Sequence, residues 1–168
     1  VLIGLFFEKE IELFFTGNIA LVGSMLIITG ILLLLTKMSK ETKKDISYLH
    51  SLIIGISQAF AMIPGISRSG ATICTSLLLG NKKNDTAKFS FLMVIPLIFG
   101  KIIKDLLSSN VIFNNIDYTL YIFGFLSAFI TGLFACKLML KVVKNNSFII
   151  FSGYCIIVGV LSIIISSY

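Results

Sequence analysis

Charge and several reactive residue types are scarce in this chain. Charged residues make up 13% of its 168 residues, whereas soluble domains carry about 25%. The chain holds no tryptophan, two prolines, one histidine and one arginine. This composition argues against a soluble globular enzyme, and the low proline content excludes a proline-rich fibrous protein.

Apolar residues take the place of the missing charge. They form 57% of the chain, and the mean hydropathy is +1.01, which is typical of a polytopic membrane protein and excludes a disordered one. The net charge is +6, but the lysines lie between apolar runs, which favours membrane orientation over nucleic-acid binding. Cys74, Cys136 and Cys155 lie in apolar stretches without metal-ligand spacing, so we expect small buried hydrophobic residues.

Long uncharged runs predict the membrane-spanning helices, because a span needs about 20 apolar residues. The predicted spans are residues 19–35, 118–136, 147–168 and, as a weaker one, 89–107. Pro96 should kink the weaker span. The chain begins inside an apolar run without an initiator methionine. We therefore expect residues 1–7 to be the end of a further span, and the chain to be the C-terminal part of a longer protein.

Residues 46–80 form two short apolar pieces around the sequence PGISRSG. The Pro-Gly pair breaks the helix, so the segment either crosses once as a broken helix or turns back as a re-entrant hairpin. A re-entrant hairpin places the lysines of segments 37–48, 81–88 and 137–147 on one side, as the positive-inside rule prefers. The predicted fold is therefore an all-α polytopic membrane protein with transmembrane helices and a re-entrant hairpin. The three lysine-rich segments face the cytoplasm, and residues 8–18, residues 108–117 and the C-terminus face outward.

Arg68 is the most informative residue, because it is the only arginine and lies in an apolar region. A charge at membrane depth costs about 2.5–3.5 kcal/mol on insertion scales and usually faces a cavity with a partner. The planar guanidinium matches phosphate oxygens, and Ser67 and Ser69 add hydroxyl donors. Gly65 and Gly70 let backbone N–H groups approach an anion, and a helix that we expect to restart near Ala71 would direct its N-terminus there. These features predict a phosphate pocket; the alternative is an arginine that pairs with a buried carboxylate or reaches the membrane interface.

Other patterns near this sequence are weaker. The glycine spacing resembles a phosphate-binding loop, but Ala71 replaces the lysine, and Ser69 breaks a serine-hydrolase pattern. His50 lies about 18 residues before the arginine, which is too far for a catalytic base, so we interpret it as an interfacial polar residue. Gln58 is a better pocket candidate, although its amide could equally bond a neighbouring helix. No carboxylate lies near the motif in sequence, so the chain offers half of an active site.

Residues 58–73, QAFAMIPGISRSGATI, resemble the signature of the undecaprenyl pyrophosphate phosphatases, also known as bacitracin-resistance proteins. The family element PGxSRSGAT is matched from Pro64 to Thr72, and Gly55 and Gln58 precede it at the expected offsets. Residues 87–96, AKFSFLMVIP, resemble a second family segment, and residues 45–47 also fit. The resemblance covers the whole chain, with specific motifs between residues 45 and 96.

The resemblance implies a multi-pass hydrolase of the bacterial inner membrane. Family members remove the terminal phosphate of undecaprenyl pyrophosphate and so recycle the lipid carrier for peptidoglycan synthesis. They use Mg²⁺ or another divalent cation, and their fold is an inverted repeat with two re-entrant hairpins. Residues 1–168 would be a single membrane domain that lacks the N-terminal repeat, and a homodimer is left open. By this resemblance Arg68, Ser67 and Ser69 are catalytic, and Gln58, Pro64, Gly65, Gly70 and Thr72 bind substrate.

One departure from the family limits this expectation. The family's other motif, a glutamate-rich helix followed by a serine pair, a glycine and a histidine, has no match here, and Glu8, Glu10 and Glu12 do not supply it. That motif would provide the metal-binding acids, so we expect no metal site within this chain and no activity from the chain alone. Two alternatives stay open: a lipid-carrier or anion transporter that uses the same pocket, and a non-catalytic subunit completed by another chain.

Overall fold

The computed structural model describes residues 18–39, 45–107, 118–145 and 148–167, and every long regular element in these ranges is an α-helix. A short 3₁₀ turn, Thr36–Met38, continues the first helix. Three helical segments are long and apolar enough to cross a membrane: Ile19–Met38, which includes that turn, Tyr118–Asn145 and Ile149–Ser166. The six helices are α1 (Ile19–Leu35), α2 (Tyr48–Phe60), α3 (Arg68–Leu78), α4 (Lys83–Leu107), α5 (Tyr118–Asn145) and α6 (Ile149–Ser166).

The predicted all-α membrane fold is therefore confirmed, with corrections to several bounds. Helix α4 begins before the predicted residue 89 and continues through Pro96, and its uncharged run is limited to residues 89–100. It is not among the three membrane-length apolar helices, so the fourth span and its kink stay predictions. Residues 83–88 of the predicted lysine-rich segment 81–88 belong to α4, and Asp85 lies in its first turn. The predicted span end at residues 1–7 and the predicted outer segments 8–17 and 108–117 lie outside the described residues.

Small residues allow α1 and α6 to pack with their backbones in close approach. A β-carbon added at Gly23 would lie 2.7 Å from the Gly159 carbonyl oxygen, and one at Gly159 would lie 2.6 Å from the Gly23 carbonyl oxygen. Seven residues along each helix, the Ser152 hydroxyl donates to the Gly30 carbonyl over 2.7 Å. The pairs 23–159 and 30–152 show that the two helices are antiparallel. Small residues at helix interfaces let the backbones approach closely and hold helices together inside membranes.

Replacing Gly159 with alanine should destabilise the protein, because the new methyl group would meet backbone atoms that cannot move aside. Overpacking of this kind costs about 1–3 kcal/mol. The matched control is Gly153→Ala on the same helix, where an added β-carbon meets nothing within 4 Å. Thermal unfolding of the full-length protein in detergent measures both variants, and equal midpoints for the two would contradict the packing described here.

Helices α2 and α3 form an antiparallel pair whose outer ends are joined by polar contacts. His50, near the start of α2, lies 2.7 Å from the amide oxygen of Asn81, just beyond α3. Asp45 and Lys82 form an ion pair of 2.6 Å at the same end, and this hydrogen bond and charge raise the pKa of Lys82. The segment therefore returns to the place where it started, as a hairpin does and a single broken crossing does not. Its insertion into a bilayer from one side stays a prediction.

Helix α3 ends in a common C-terminal capping motif. Gly80 has a positive φ of 82°, its N–H donates to the Leu77 carbonyl, and the Asn81 N–H donates to the Ser76 carbonyl. This is the Schellman arrangement, which satisfies the last carbonyl groups of a helix. It also presents the Asn81 side chain back toward the start of α2, where it meets His50.

The described parts of the lysine-rich segments lie at one end of the helix bundle. A buried core cluster joins the last part of α1, α3, the first turns of α4, the end of α5 and the residue before α6. Its members are Leu33, Ile73, Cys74, Leu77, Ala87, Val143 and Phe148. Each lysine-rich segment adjoins this cluster in sequence. This agrees with the arrangement that the lysine count favoured, while the side of the membrane that this end faces stays a prediction.

Candidate functional site

The connection between α2 and α3 is held tightly against α1. Pro64 is buried, and Gly65 has a positive φ of 94°. A β-carbon at Gly65 would lie 2.5 Å from the Val22 carbonyl oxygen and 2.8 Å from the β-carbon of Met25. Only glycine combines this backbone conformation with so close an approach. Pro64 and Gly65 therefore form the turn that sets the direction of α3.

The N-terminus of α3 is built from the serines and glycines of the motif. Ser67 is the N-cap, and its hydroxyl oxygen accepts from the Gly70 N–H over 3.1 Å. No carbonyl group in the described part of the chain accepts from the backbone N–H groups of Arg68 and Ser69. Two N–H donors and the positive end of the helix dipole are thus directed out of the helix, as an anion site requires.

Arg68 is exposed, and its guanidinium has no hydrogen-bond or ion-pair partner within the described ranges. The pairing with a carboxylate that the sequence left as an alternative is therefore not found in this part of the chain. The Ser69 hydroxyl is half-buried and likewise has no protein partner among described residues. Arg68, Ser69 and the N-cap Ser67 are consecutive, so the structure brings the three predicted catalytic residues to one helix end. Their catalytic roles stay predictions.

Thr72 is occupied by contacts within the protein. Its side chain is 1% exposed, its hydroxyl lies within hydrogen-bond range of the Arg68 and Ser69 carbonyls, and the Ser90 hydroxyl lies 2.6 Å away. When the Thr72 proton serves its own helix, the Ser90 hydroxyl can donate to Thr72. In this conformation Thr72 joins α3 to α4, and the predicted contact with substrate stays a prediction.

One turn further along, a second buried pair continues this contact between α3 and α4. The Ser76 and Thr86 hydroxyl groups lie 2.8 Å apart, and the Asn81 amide nitrogen donates to Ser76 over 3.0 Å. The Asn81 amide oxygen accepts from His50 Nδ1. These hydrogen bonds form a chain from His50 to Thr86, so each of these side chains has a partner, as buried polar groups require.

The remaining predicted residues occupy different parts of the hairpin. Gln58 is half-buried in the last turn of α2, and its amide has no partner in the ranges described. Gly70 is buried, and an added β-carbon would lie 3.0 Å from the Ser67 hydroxyl oxygen. His50 lies at the opposite end of α2 from the motif, about 15 Å away along the helix axis. It contacts Asn81 there, and its interpretation as an interfacial polar residue stays a prediction.

Thr29 of α1 is the site residue that sequence reasoning missed. Its hydroxyl accepts from the Ser67 N–H over 3.1 Å and lies 3.2 Å from the Gly65 carbonyl oxygen, to which it can donate. The available signal was one hydroxyl group in the apolar run MLIITGILLLL. That signal alone does not identify the partner, which is 36 to 38 residues away in sequence.

Two expectations about cysteines and metals have separate outcomes. Cys74 is buried as predicted and Cys155 is half-buried, but Cys136 is exposed. The expectation of burial is wrong for Cys136, because most of α5 has no packed neighbours in the described chain. Within the described ranges, no group of three or more His, Cys, Asp or Glu residues could hold a metal ion.

Comparison with known proteins gives a family match over most of the chain. The family model described as "Bacitracin resistance protein BacA" matches residues 1–161. A protein of Christiangramia forsetii called undecaprenyl-diphosphatase is 52% identical over 164 residues, which cover 98% of this chain and 62% of the relative. A Bacteroides fragilis protein of the same name is 43% identical over 169 residues, covering 98% and 64%. One from Methanococcus maripaludis is 46% identical over 158 residues, covering 92% and 61%. The chain thus spans less than two thirds of the length of these relatives.

Proposed function

This chain belongs to the bacitracin resistance protein BacA family, and from that premise we propose that the whole protein is an undecaprenyl-diphosphatase. It would hydrolyse undecaprenyl pyrophosphate to undecaprenyl phosphate and inorganic phosphate. The observation that carries the proposal is the exposed Arg68 guanidinium, which lies without a protein partner in the described chain at the N-terminus of α3. The names of the relatives favour this hydrolase over the lipid-carrier or anion transporter.

The residues of this chain would bind and polarise the pyrophosphate. Arg68 can bond two phosphate oxygens at once through its planar fork. The Ser67 oxygen accepts from Gly70, so its proton is available for a phosphate oxygen, and the Ser69 hydroxyl adds another donor. Charge that develops on the transferred phosphoryl group would then meet a fixed cation and the N-terminus of a helix. Such electrostatic positioning supplies most of the catalysis in phosphoryl transfer.

We include Mg²⁺ or another divalent cation in the proposal, by family resemblance. A bound cation would neutralise phosphate charge. The described residues do not form a site for it, because they lack a cluster of acidic or imidazole ligands. Its ligands would therefore come from outside the described residues, and we assign no step to it here.

The proposal also covers location and partners. The three apolar helices of membrane length indicate a membrane protein, and we place it in the cell membrane with its C-terminus outside and its lysine-rich end in the cytoplasm. Its partners would be the polyprenyl pyrophosphate and the bilayer, with a homodimer as a further arrangement to be tested by its mass in detergent.

Phosphate release by the purified full-length protein tests the proposed function. We expect release of one phosphate from each undecaprenyl pyrophosphate, and loss of release when a chelator removes divalent cations. The control is the same protein with undecaprenyl phosphate, which lacks the anhydride bond. Movement of the lipid across vesicles without phosphate release would contradict the proposal and favour the transporter.

A further inference from the structure

Thr29 makes more contacts than a hydroxyl group in an apolar helix needs. Such a group is normally satisfied by the carbonyl one turn earlier in its own helix, as Thr131 is by Ser127 in α5. Thr29 has this contact with Met25 over 3.0 Å; in addition its oxygen accepts from the Ser67 N–H, and its single proton lies within reach of the Gly65 carbonyl as well as the Met25 carbonyl. The hydroxyl therefore links α1 to Gly65 and Ser67, the residues before and after Ile66.

The position of Thr29 makes this link difficult to replace. Its side chain is 2% exposed, so water cannot substitute for the lost hydrogen bonds. Val22, Met25 and Thr29 share one face of α1, since they are spaced by three and four residues, and the first two already meet Gly65. The Thr29 methyl group lies 3.8 Å from the position of a β-carbon at Gly70. One face of α1 thus contacts the turn, the N-cap residue and the first turn of α3.

We propose that Thr29 is a positioning residue for the reaction: its buried hydroxyl holds residues 65–67 so that Ser67, Arg68 and Ser69 face the phosphate together. This inference rests on the proposed function, since it concerns the same site. Thr29 itself touches no reacting atom and acts through the Ser67 N–H and the Gly65 carbonyl.

Three variants of the full-length protein test the proposal. Thr29→Val keeps the side-chain shape and removes the hydroxyl, Thr29→Ser keeps the hydroxyl, and Thr131→Val removes a matched hydroxyl that bonds only its own helix. We expect Thr29→Val to lower kcat for phosphate release by about tenfold or more, because a small displacement of catalytic groups has large effects. Thr29→Ser should keep most of the wild-type kcat, and Thr131→Val should have the same kcat as the wild type.

Hydrogen exchange at residues 65–70, followed by mass spectrometry, is the second readout. The Ser67 amide should exchange at least tenfold faster in Thr29→Val than in the wild type, Thr29→Ser or Thr131→Val. Inorganic pyrophosphate should slow exchange at these residues in the wild type and Thr29→Ser, but much less in Thr29→Val. This readout needs no turnover, so a protein that releases no phosphate but shows these exchange differences would refute the proposed function and retain the role of Thr29 in anion binding.

Several results would overturn the inference. Unchanged exchange of Ser67 in Thr29→Val would show that the hydroxyl does not hold the turn. Faster exchange of Ser67 with unchanged kcat would show that holding residues 65–67 in place does not affect the reaction. Equal loss of activity in Thr29→Val and Thr29→Ser would show that the hydroxyl by itself does not hold the site. Absence of pyrophosphate protection in the wild type would show that residues 65–70 do not bind the anion.

Discussion

Replacing Arg68 with alanine in the full-length protein should lower kcat for phosphate release by about 10³-fold or more, the range found when an arginine that stabilises transferred phosphoryl groups is removed. Arg68 is the first residue of α3, and no hydrogen bond or ion pair to its guanidinium exists within the described residues. Its loss therefore breaks no internal contact there, and membrane insertion and thermal stability should stay near wild type. Phosphate release and thermal unfolding in detergent measure the two effects.

Two companion variants separate the geometry of Arg68 from its charge. Arg68→Lys should recover only a small part of the activity, because an ammonium group cannot bond two phosphate oxygens in one plane. Lys137→Ala removes an exposed cation of α5 far from the motif in sequence and should leave kcat unchanged. Near-normal turnover by Arg68→Ala would show that the N-terminus of α3 does not bind the substrate phosphate, and the site assignment would be abandoned.

Hydropathy predicted the apolar helices well because burial in lipid depends on local composition. The bounds of α1 agree with the predicted residues 19–35. Helix α5 runs on to Asn145, nine residues past the predicted end. The lysines at 137, 141 and 144 end the apolar run without ending the helix, since their spacing keeps them on one helical face. Hydropathy therefore marks the apolar part of a helix, while the backbone hydrogen bonds determine its length.

The local part of the candidate site was also predictable, and the supporting contacts were not. Gly65 at a turn follows from the sequence, because this role depends on neighbouring residues. Helix α3, in contrast, begins at Arg68 with Ser67 as its N-cap, three residues before the predicted start near Ala71. The contacts of Thr29 with the turn and of Ser90 with Thr72 join residues far apart in the chain. A hydroxyl group in an apolar helix can bond its own backbone or a partner on another helix, and one sequence does not say which of these it does. The seven-residue spacing of Gly23 and Gly30, and of Ser152 and Gly159, was the one pattern that could have predicted the pairing of α1 with α6.

Replacing Gly65 with alanine should be the most damaging of the small substitutions. Alanine at a φ of 94° is strained by roughly 1–2 kcal/mol, and its methyl group would lie 2.5 Å from the Val22 carbonyl oxygen. Since that oxygen belongs to the backbone of α1, the turn must move away from α1, and it carries Ser67 and Arg68 with it. A displacement of about 1 Å costs about 10²-fold in rate, so kcat for phosphate release should fall by about that factor.

Gly132→Ala is the control for Gly65→Ala, because an added β-carbon at Gly132 meets nothing within 4 Å and its helical φ suits alanine. It should keep wild-type kcat and thermal stability. The double variant Gly65→Ala with Thr29→Val adds a sharper test. If Gly65→Ala has already pulled the turn away from α1, the Thr29 hydroxyl no longer holds Ser67, and the double variant should lose far less than the product of the two single losses. Multiplicative losses would mean that Gly65 and Thr29 support the site independently, and wild-type turnover by Gly65→Ala would mean that contact of the turn with α1 is not needed for the reaction.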